Sequence, residues 1–386
     1  MVNSGYSPRH SARTVAIPVP AARRGGRRLQ FGIVAVAGIA LLAIVIGLAV
    51  ASGPGGQVRV QTSETAKPAA GAAPAAYATG PVSVRRLASR RYHFGGPTAA
   101  AAAGGTLWVT SVLGDSVTRL SGKSGAHAAN FRGSGYSFDG PNSLTIGNGR
   151  VWVANVPANS VTELNESTGA PVRILSTGYG FSSPYALALA GSRLWVADAA
   201  SNSVTEVNAA TGARIRAVGG GRYQLDNPYA LAVAGADLWV ANSGGNSVTR
   251  LDATSGAWLA SYAAGYGFSD PVALAVTGGS LWVVNEASDT ISQLSLSSGK
   301  LVRVLRGRQY GFDDPAAIAA SGGALWVANA LGDSVTEIAA GTGRVIRVLS
   351  GPRFRFHDPT GIAAAGPTVW VTNLSGNSVT RLHLRA

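Results

Sequence analysis

The sequence predicts an all-β fold: a seven-bladed β-propeller of four-stranded antiparallel blades, closed by an N-terminal strand and preceded by one transmembrane helix. Three observations carry this reading. Trp108, Trp152, Trp195, Trp239, Trp282, Trp326 and Trp370 recur at intervals of 43 or 44 residues, the length of one four-stranded propeller blade. A proline stands 11 positions before each of them. Finally, residues 31–51 form a run of 21 residues without a charged or polar side chain.

That run extends from Phe31 to Ala51 and, as a helix, spans roughly 30 Å, the thickness of a bilayer hydrocarbon core. Arg9, Arg13, Arg23, Arg24, Arg27 and Arg28 precede it with no acidic residue among them. This asymmetry predicts a basic cytoplasmic tail over residues 1–30 and an extracytoplasmic remainder. Ala49-Val50-Ala51 also has the small-x-small form of a signal cleavage site, so secretion after cleavage is the alternative. The length of the apolar run favours retention, because signal cores are usually about 7 to 15 residues. Residues 52–82 are rich in Ala, Pro and Gly and lack apolar periodicity, which predicts a mobile spacer.

Residues 83–386 carry the repeats. Pro184 to Asn227 shows four short apolar or β-branched runs separated by turn residues, as four antiparallel strands require. The LWVA run around Trp195 is apolar on both faces, which suits a blade sandwiched between neighbours. Each Trp is then core between blades, with an indole N–H that needs an acceptor. The third strand recurs as SVTRL, SVTEL, SVTEV, SVTRL, TISQL, SVTEI and SVTRL. Its charges alternate, and Arg119/Glu163, Glu206/Arg250 and Glu337/Arg381 are expected to pair from blade to blade or to sit solvated at the edge. The last repeat stops after its third strand. Val84-Arg85-Arg86-Leu87 aligns with Ile346-Arg347-Val348-Leu349, so residues 83–90 are expected to supply the missing outer strand, hiding both sheet edges.

Composition narrows the function. There is no cysteine, which excludes disulfides and thiolate metal sites. The net charge of +14 suggests nucleic acid until it is partitioned, for the ring itself holds 24 basic against 17 acidic side chains. No nucleic-acid partner is expected. Arg303, Arg306, Arg308, Arg344, Arg347, Arg353 and Arg355 form a basic stretch, read as a solvated outer edge or a contact for anionic glycan or lipid headgroups. No nucleophile elbow, phosphate loop or zinc spacing is present.

The repeats, seen as WVANVPANSVTEL, WVADAASNSVTEV and WVANSGGNSVTRL, resemble the NHL and YVTN classes of β-propeller repeat. That resemblance implies a binding or interaction scaffold more often than an enzyme. Their P...G.LW pattern is more distantly similar to that of streptogramin lyases, which implies a histidine and acidic residues acting with a divalent metal. The ring holds His93, His127, His357 and His383, none in an HxE-type cluster.

Chain direction places the fourth-to-first-strand loops and the second-to-third-strand loops on one face. Tyr92, Tyr136, Tyr179, Tyr223, Tyr266, Tyr310 and Phe354, five positions before the prolines, are read as packing under those loops. Asn155, Asp198, Asn242, Asn285, Asn329 and Asn373, with Asn or Asp four later, are read as turn-formers bonding their own backbone. Directly before the prolines stand Gly96, Gly140, Ser183, Asn227, Asp270, Asp314 and Asp358. Three consecutive carboxylates, joined by Glu286 and Asp313, mark one sector as a candidate ligand site. Asp270, Asp314 and Asp358 are the candidate ligands for a divalent cation such as calcium, although Asp before Pro also serves turns. The expected function is a membrane-tethered, extracytoplasmic, non-enzymatic module that binds a protein, glycan or small ligand. The alternative is a metal-assisted lyase or hydrolase at the propeller mouth.

Overall fold

The first six repeats each fold into one four-stranded antiparallel sheet, the last repeat supplies three strands of a seventh, and the seven sheets form the ring. In this computed structural model, residues 81–88 and 90–384 are described. The expected cytoplasmic tail and transmembrane helix, and nearly all of the spacer, lie outside the described residues. Among the described residues no helix is long and apolar enough to cross a membrane.

Blade three shows why the sequence folds this way. Its strands are Pro184–Ala190, Arg193–Asp198, Ser203–Asn208 and Arg214–Gly219. The second is buried from Leu194 to Asp198, because blades cover both of its faces, while the fourth is largely exposed and buries only Val218. All seven repeat tryptophans are buried. Trp195 Nε1 donates to Ala253 O of the next blade at 3.2 Å. The expectation of an indole acceptor fails at Trp108, Trp152, Trp239, Trp282 and Trp370. Over three of these rings, Trp108, Trp239 and Trp370, lies the guanidinium of Arg119, Arg250 or Arg381, 5.4 to 5.7 Å from the centroid, attracted by the ring face.

The loops of one face are laced into a circle. The residue before each repeat proline has a φ of 52° to 58°, which explains the choice of Gly, Ser, Asn and Asp there. Its N–H donates to Oδ1 of an Asn or Asp in the preceding blade, at 2.6 to 2.9 Å in all seven cases. The acceptors are Asp115, Asn159, Asn202, Asn246, Asp289, Asp333 and Asn377. They too are left-handed, with φ of 42° to 52°. These side chains therefore tie blade to blade, correcting the expectation that they bond their own backbone. The residues four earlier are corrected as well. Asn155 Nδ2 donates to Ser160 Oγ and Thr162 Oγ1 at 3.1 and 3.0 Å, and Asn242, Asn285, Asn329 and Asn373 do the same, because a buried strand end faces the third strand.

The third-strand charges do not pair between blades. Glu163 is buried between Arg150 Nε and Arg173 Nε of its own blade, at 2.9 and 2.6 Å. Glu206 meets Arg193 and Arg216 likewise, and Glu337 meets Arg347. Register is the reason: each Glu stands directly opposite an outer-strand Arg. Arg250 pairs with Asp237 at 2.7 Å, again within one blade. What does cross between blades is arginine to carbonyl. Arg173, Arg216 and Arg303 reach Ala210 O, Ser255 O and Thr342 O of the following blade. Arg303 and Arg347 of the basic stretch are thus engaged rather than free.

The seventh sheet combines Val82–Leu87 with the last three strands, pairing Val82 with Leu384 and Leu87 with Val379. Across the seam between blades seven and one, Thr372 Oγ1 donates to Thr98 O at 2.8 Å. Gly361 makes room for this contact, since a Cβ there would lie 2.1 Å from Thr98 O and 2.5 Å from Thr372 Oγ1. The corresponding residue of blade three is Ala186. Gly361→Ala is expected to destabilise the ring by about 1 to 3 kcal/mol through overpacking, read as a lowered thermal midpoint. An unchanged midpoint refutes this seam geometry.

Candidate functional site

The loop face expected from chain direction is the face that the structure builds. In blade five, Glu286 N–H donates to Asp270 O at 3.0 Å, joining the second-to-third-strand loop to the loop before the proline. The same bond recurs in every blade, from Val112 to Gly96 O through Leu374 to Asp358 O. Beneath these loops the aromatics stack in pairs, such as Tyr179 on Phe181 and Tyr310 on Phe312, as expected of packing residues. Their carbonyls accept from the third strand, for example Thr162 Oγ1 to Tyr136 O at 3.0 Å.

Three of the five acidic candidates come together. Glu286 is half-buried and hydrogen-bonds Asp314 carboxyl to carboxyl, with Asp270 nearby. Burial above all, then the hydrogen bond and charge of Asp314 and the charge of Asp270, push the Glu286 carboxyl up to about 8. Two adjacent carboxylates cannot both ionise cheaply, so at neutral pH the pair holds one proton. Asp270 Oδ1 is buried and has no hydrogen-bond partner. The left-handed backbone accounts for Asp at positions 270 and 314, but not for Glu286, whose φ-neutral position in other blades holds Val, Ala, Ser or Leu.

The other two candidates stand apart. Asp358 accepts from Ser375 Oγ at 2.7 Å, and the exposed Asp313 uses its carbonyl to accept from Gly332 N. Among the described residues no group of three or more His, Asp or Glu has the geometry to hold a metal ion. Of the histidines, His93 and His357 stand in the fourth-to-first-strand loops, and His357 lies 3.9 Å from Asp333.

Two residues of this site were missed by sequence reasoning. Tyr185 and Tyr229 follow the repeat prolines of blades three and four, where the other blades carry Thr98, Asn142, Val272, Ala316 and Thr360. Their rings lie 4.4 Å apart between centroids. Burial raises both phenols, and Tyr229 is raised further by Tyr185 and then by the charges of Glu286 and Asp270. The signal was visible as two consecutive departures from the repeat. Asp198 is a third departure: the only acid at a position that is Asn in five other blades, it is buried and receives Thr205 Oγ1–H at 2.7 Å. Burial pushes its carboxyl up to about 7.

No family model matches the chain, and no curated protein matches it. Solved structures do. Virginiamycin B lyase from Staphylococcus aureus superposes with a TM-score of 0.66 at 17% identity, covering 79% of this chain and 100% of that one. A catalytically inactive variant of that lyase, solved with quinupristin, gives 0.67 over the same shares of the two chains, again at 17% identity. Hydrazine synthase of Kuenenia stuttgartiensis gives 0.62 at 14% identity, covering 75% of this chain and 96% of that one. At such identities the likeness establishes a shared propeller fold.

Proposed function

We propose that the protein is a binding module whose loop face captures a small organic cation, an amine or a guanidinium, at the mouth of blades three to six. The observation that carries this is the carboxyl pair Glu286–Asp314 beside the unpartnered Oδ1 of Asp270, against the Tyr185–Tyr229 wall. A cation supplies the charge that this group lacks, and aromatic faces favour it further. The same carboxylates can take a divalent cation such as calcium, but the absence of a metal-ready cluster among the described residues favours the organic ion.

Binding must displace the shared proton. Titration calorimetry with methylguanidine and 1,4-diaminobutane in buffers of different ionisation enthalpy is expected to show proton release near pH 7, with affinity rising between pH 6 and 9. Glu286→Gln is expected to weaken binding at least about tenfold, the loss of one charge-assisted contact. Absence of binding by both cations, or affinity independent of pH, rejects the reading.

A second reading has its own support. A carboxyl that keeps its proton at neutral pH is a general acid in waiting, and the fold is shared with a lyase. Cleavage of quinupristin by the wild type but not by Glu286→Gln would favour an enzyme. We also propose that Phe31–Ala51 tethers the ring outside the cell membrane, on the strength of its length and its flanking arginines. Recovery of the protein only in a soluble exported fraction beginning near Ser52 rejects the tether.

A further inference from the structure

On the face opposite the mouth, a cleft of about 720 Å³ opens between blades seven and one. Arg85, Lys123, Arg381 and His383 line it, together with backbone turns and Thr368, and no carboxylate does. Register makes this seam different from the others. In blades two, three and six the third-strand residue opposite the outer-strand Arg is Glu. In blades one and four the third-strand Arg faces Ala129 or Ala260, and in blade five Gln293 faces Arg303. Only in blade seven does Arg face Arg, Arg381 against Arg85.

Like charges directly opposite on a sheet repel. Packing nevertheless holds both in place. Arg85 is tied to Ser124 O at 2.9 Å, and Arg381 lies over the Trp370 ring at 5.7 Å with its buried Nε unpartnered. His383 Nδ1 is 3.0 Å from Thr368 Oγ1, which orients the imidazole at the same cleft. Burial, and next the Arg85 charge, push the Arg381 guanidinium below its ordinary value. The structure has thus assembled a site that lacks one component, the negative charge that Glu supplies in sister blades.

We propose that this cleft binds the phosphate group of a phosphate ester. Donors from the first strand, the last strand and the neighbouring blade's turn approach from different sides, which suits a tetrahedral oxyanion with several oxygens better than a planar carboxylate. The volume leaves room beyond the phosphate for an organic group. Two sources share this chemistry, a free sugar or glycerol phosphate and the headgroup of an anionic phospholipid. The second has topological support. Val82, the beginning of the first strand, pairs with Leu384 at this same face, and 30 residues separate it from the end of the apolar run Phe31–Ala51.

The test is calorimetry on the full-length chain in neutral detergent with glycerol 3-phosphate, dihexanoyl phosphatidylglycerol and, as control, dihexanoyl phosphatidylcholine. Arg381→Gln is expected to weaken binding at least about tenfold and Lys123→Ala about threefold. Lys123 is exposed, so its variant probes the site without disturbing the seam, and near-ultraviolet circular dichroism verifies the fold of each. Binding of glycerol 3-phosphate as tight as that of the lipid assigns a free organophosphate; markedly tighter binding of phosphatidylglycerol assigns a headgroup. Failure of both anions to bind, or binding unchanged in both variants, overturns the proposal. The mouth carboxylates play no part in it, so its failure leaves the cation site untouched.

Discussion

Deletion of Val82–Leu87 is expected to abolish the soluble ring. The strand contributes six register pairs to the seventh sheet, and it buries Leu87 and Val82 at 1% and 6% exposure. Losing those two side chains alone costs about 3 to 6 kcal/mol, before the lost ladder and the Arg86 and Arg85 ties to Gly376 O and Ser124 O are counted. A typical domain has only about 5 to 15 kcal/mol of stability. The deletion also bares the edge of Ser378–Leu384, an invitation to intermolecular pairing. Size exclusion and soluble yield measure the outcome. A monomeric deletion variant with a wild-type thermal midpoint would show that the ring does not depend on this strand. Arg86→Ala, which removes one exposed tie, is the control and should move the midpoint little.

Asp198→Asn is expected to stabilise the protein at pH 8. The native carboxyl titrates at about 7 against 3.8 for the free group, so between those values the folded state binds a proton that the unfolded state has released. Stability therefore falls as pH rises from about 4 to about 7, and levels off above. The displacement corresponds to a penalty of about 4 kcal/mol at pH 8. Asparagine removes it and restores the pattern of the sister blades. There the amide donates to the third-strand hydroxyl, and that hydroxyl is left to donate to the aromatic carbonyl, as Thr162 does to Tyr136 O. In blade three the one proton of Thr205 is committed to the carboxylate. Denaturant unfolding at pH 5 and pH 8 tests this: the gain should be large at pH 8 and shrink on acidification. A variant less stable than wild type at pH 8 would refute the account.

The places where sequence reasoning stopped share a cause. Glu163 and Arg119 are near in pattern, one blade apart, yet the Glu163 carboxylate is claimed by Arg150 and Arg173, because cross-strand register within a blade is shorter than the step between blades. Asn159 and Asn155 look alike as loop residues. One bonds Ser183 N of the next blade and the other is sealed under its own, a distinction set by which side of the strand end each occupies. Asp358 matches Asp314 in position and backbone, but the loop beside Asp314 carries Glu286 where the loop beside Asp358 carries Ala330, so two carboxyls meet at Asp314.

By itself the sequence determined the period, the number of blades, the assignment of strands and the face on which the loops gather, because those follow from local hydrophobic alternation and turn chemistry repeated along the chain. It also marked Asp270, Glu286 and Asp314 as departures from the repeat. Only the tertiary structure decided that Tyr229 comes within reach of the Glu286 and Asp270 charges, that Asp198 is buried deeply enough for desolvation to outweigh the Arg214 charge, and that Arg85 confronts Arg381 across the last sheet. Each of these depends on proximity between distant segments and on exclusion of water, and the energy of a charge is set by its neighbours in space rather than by those along the chain.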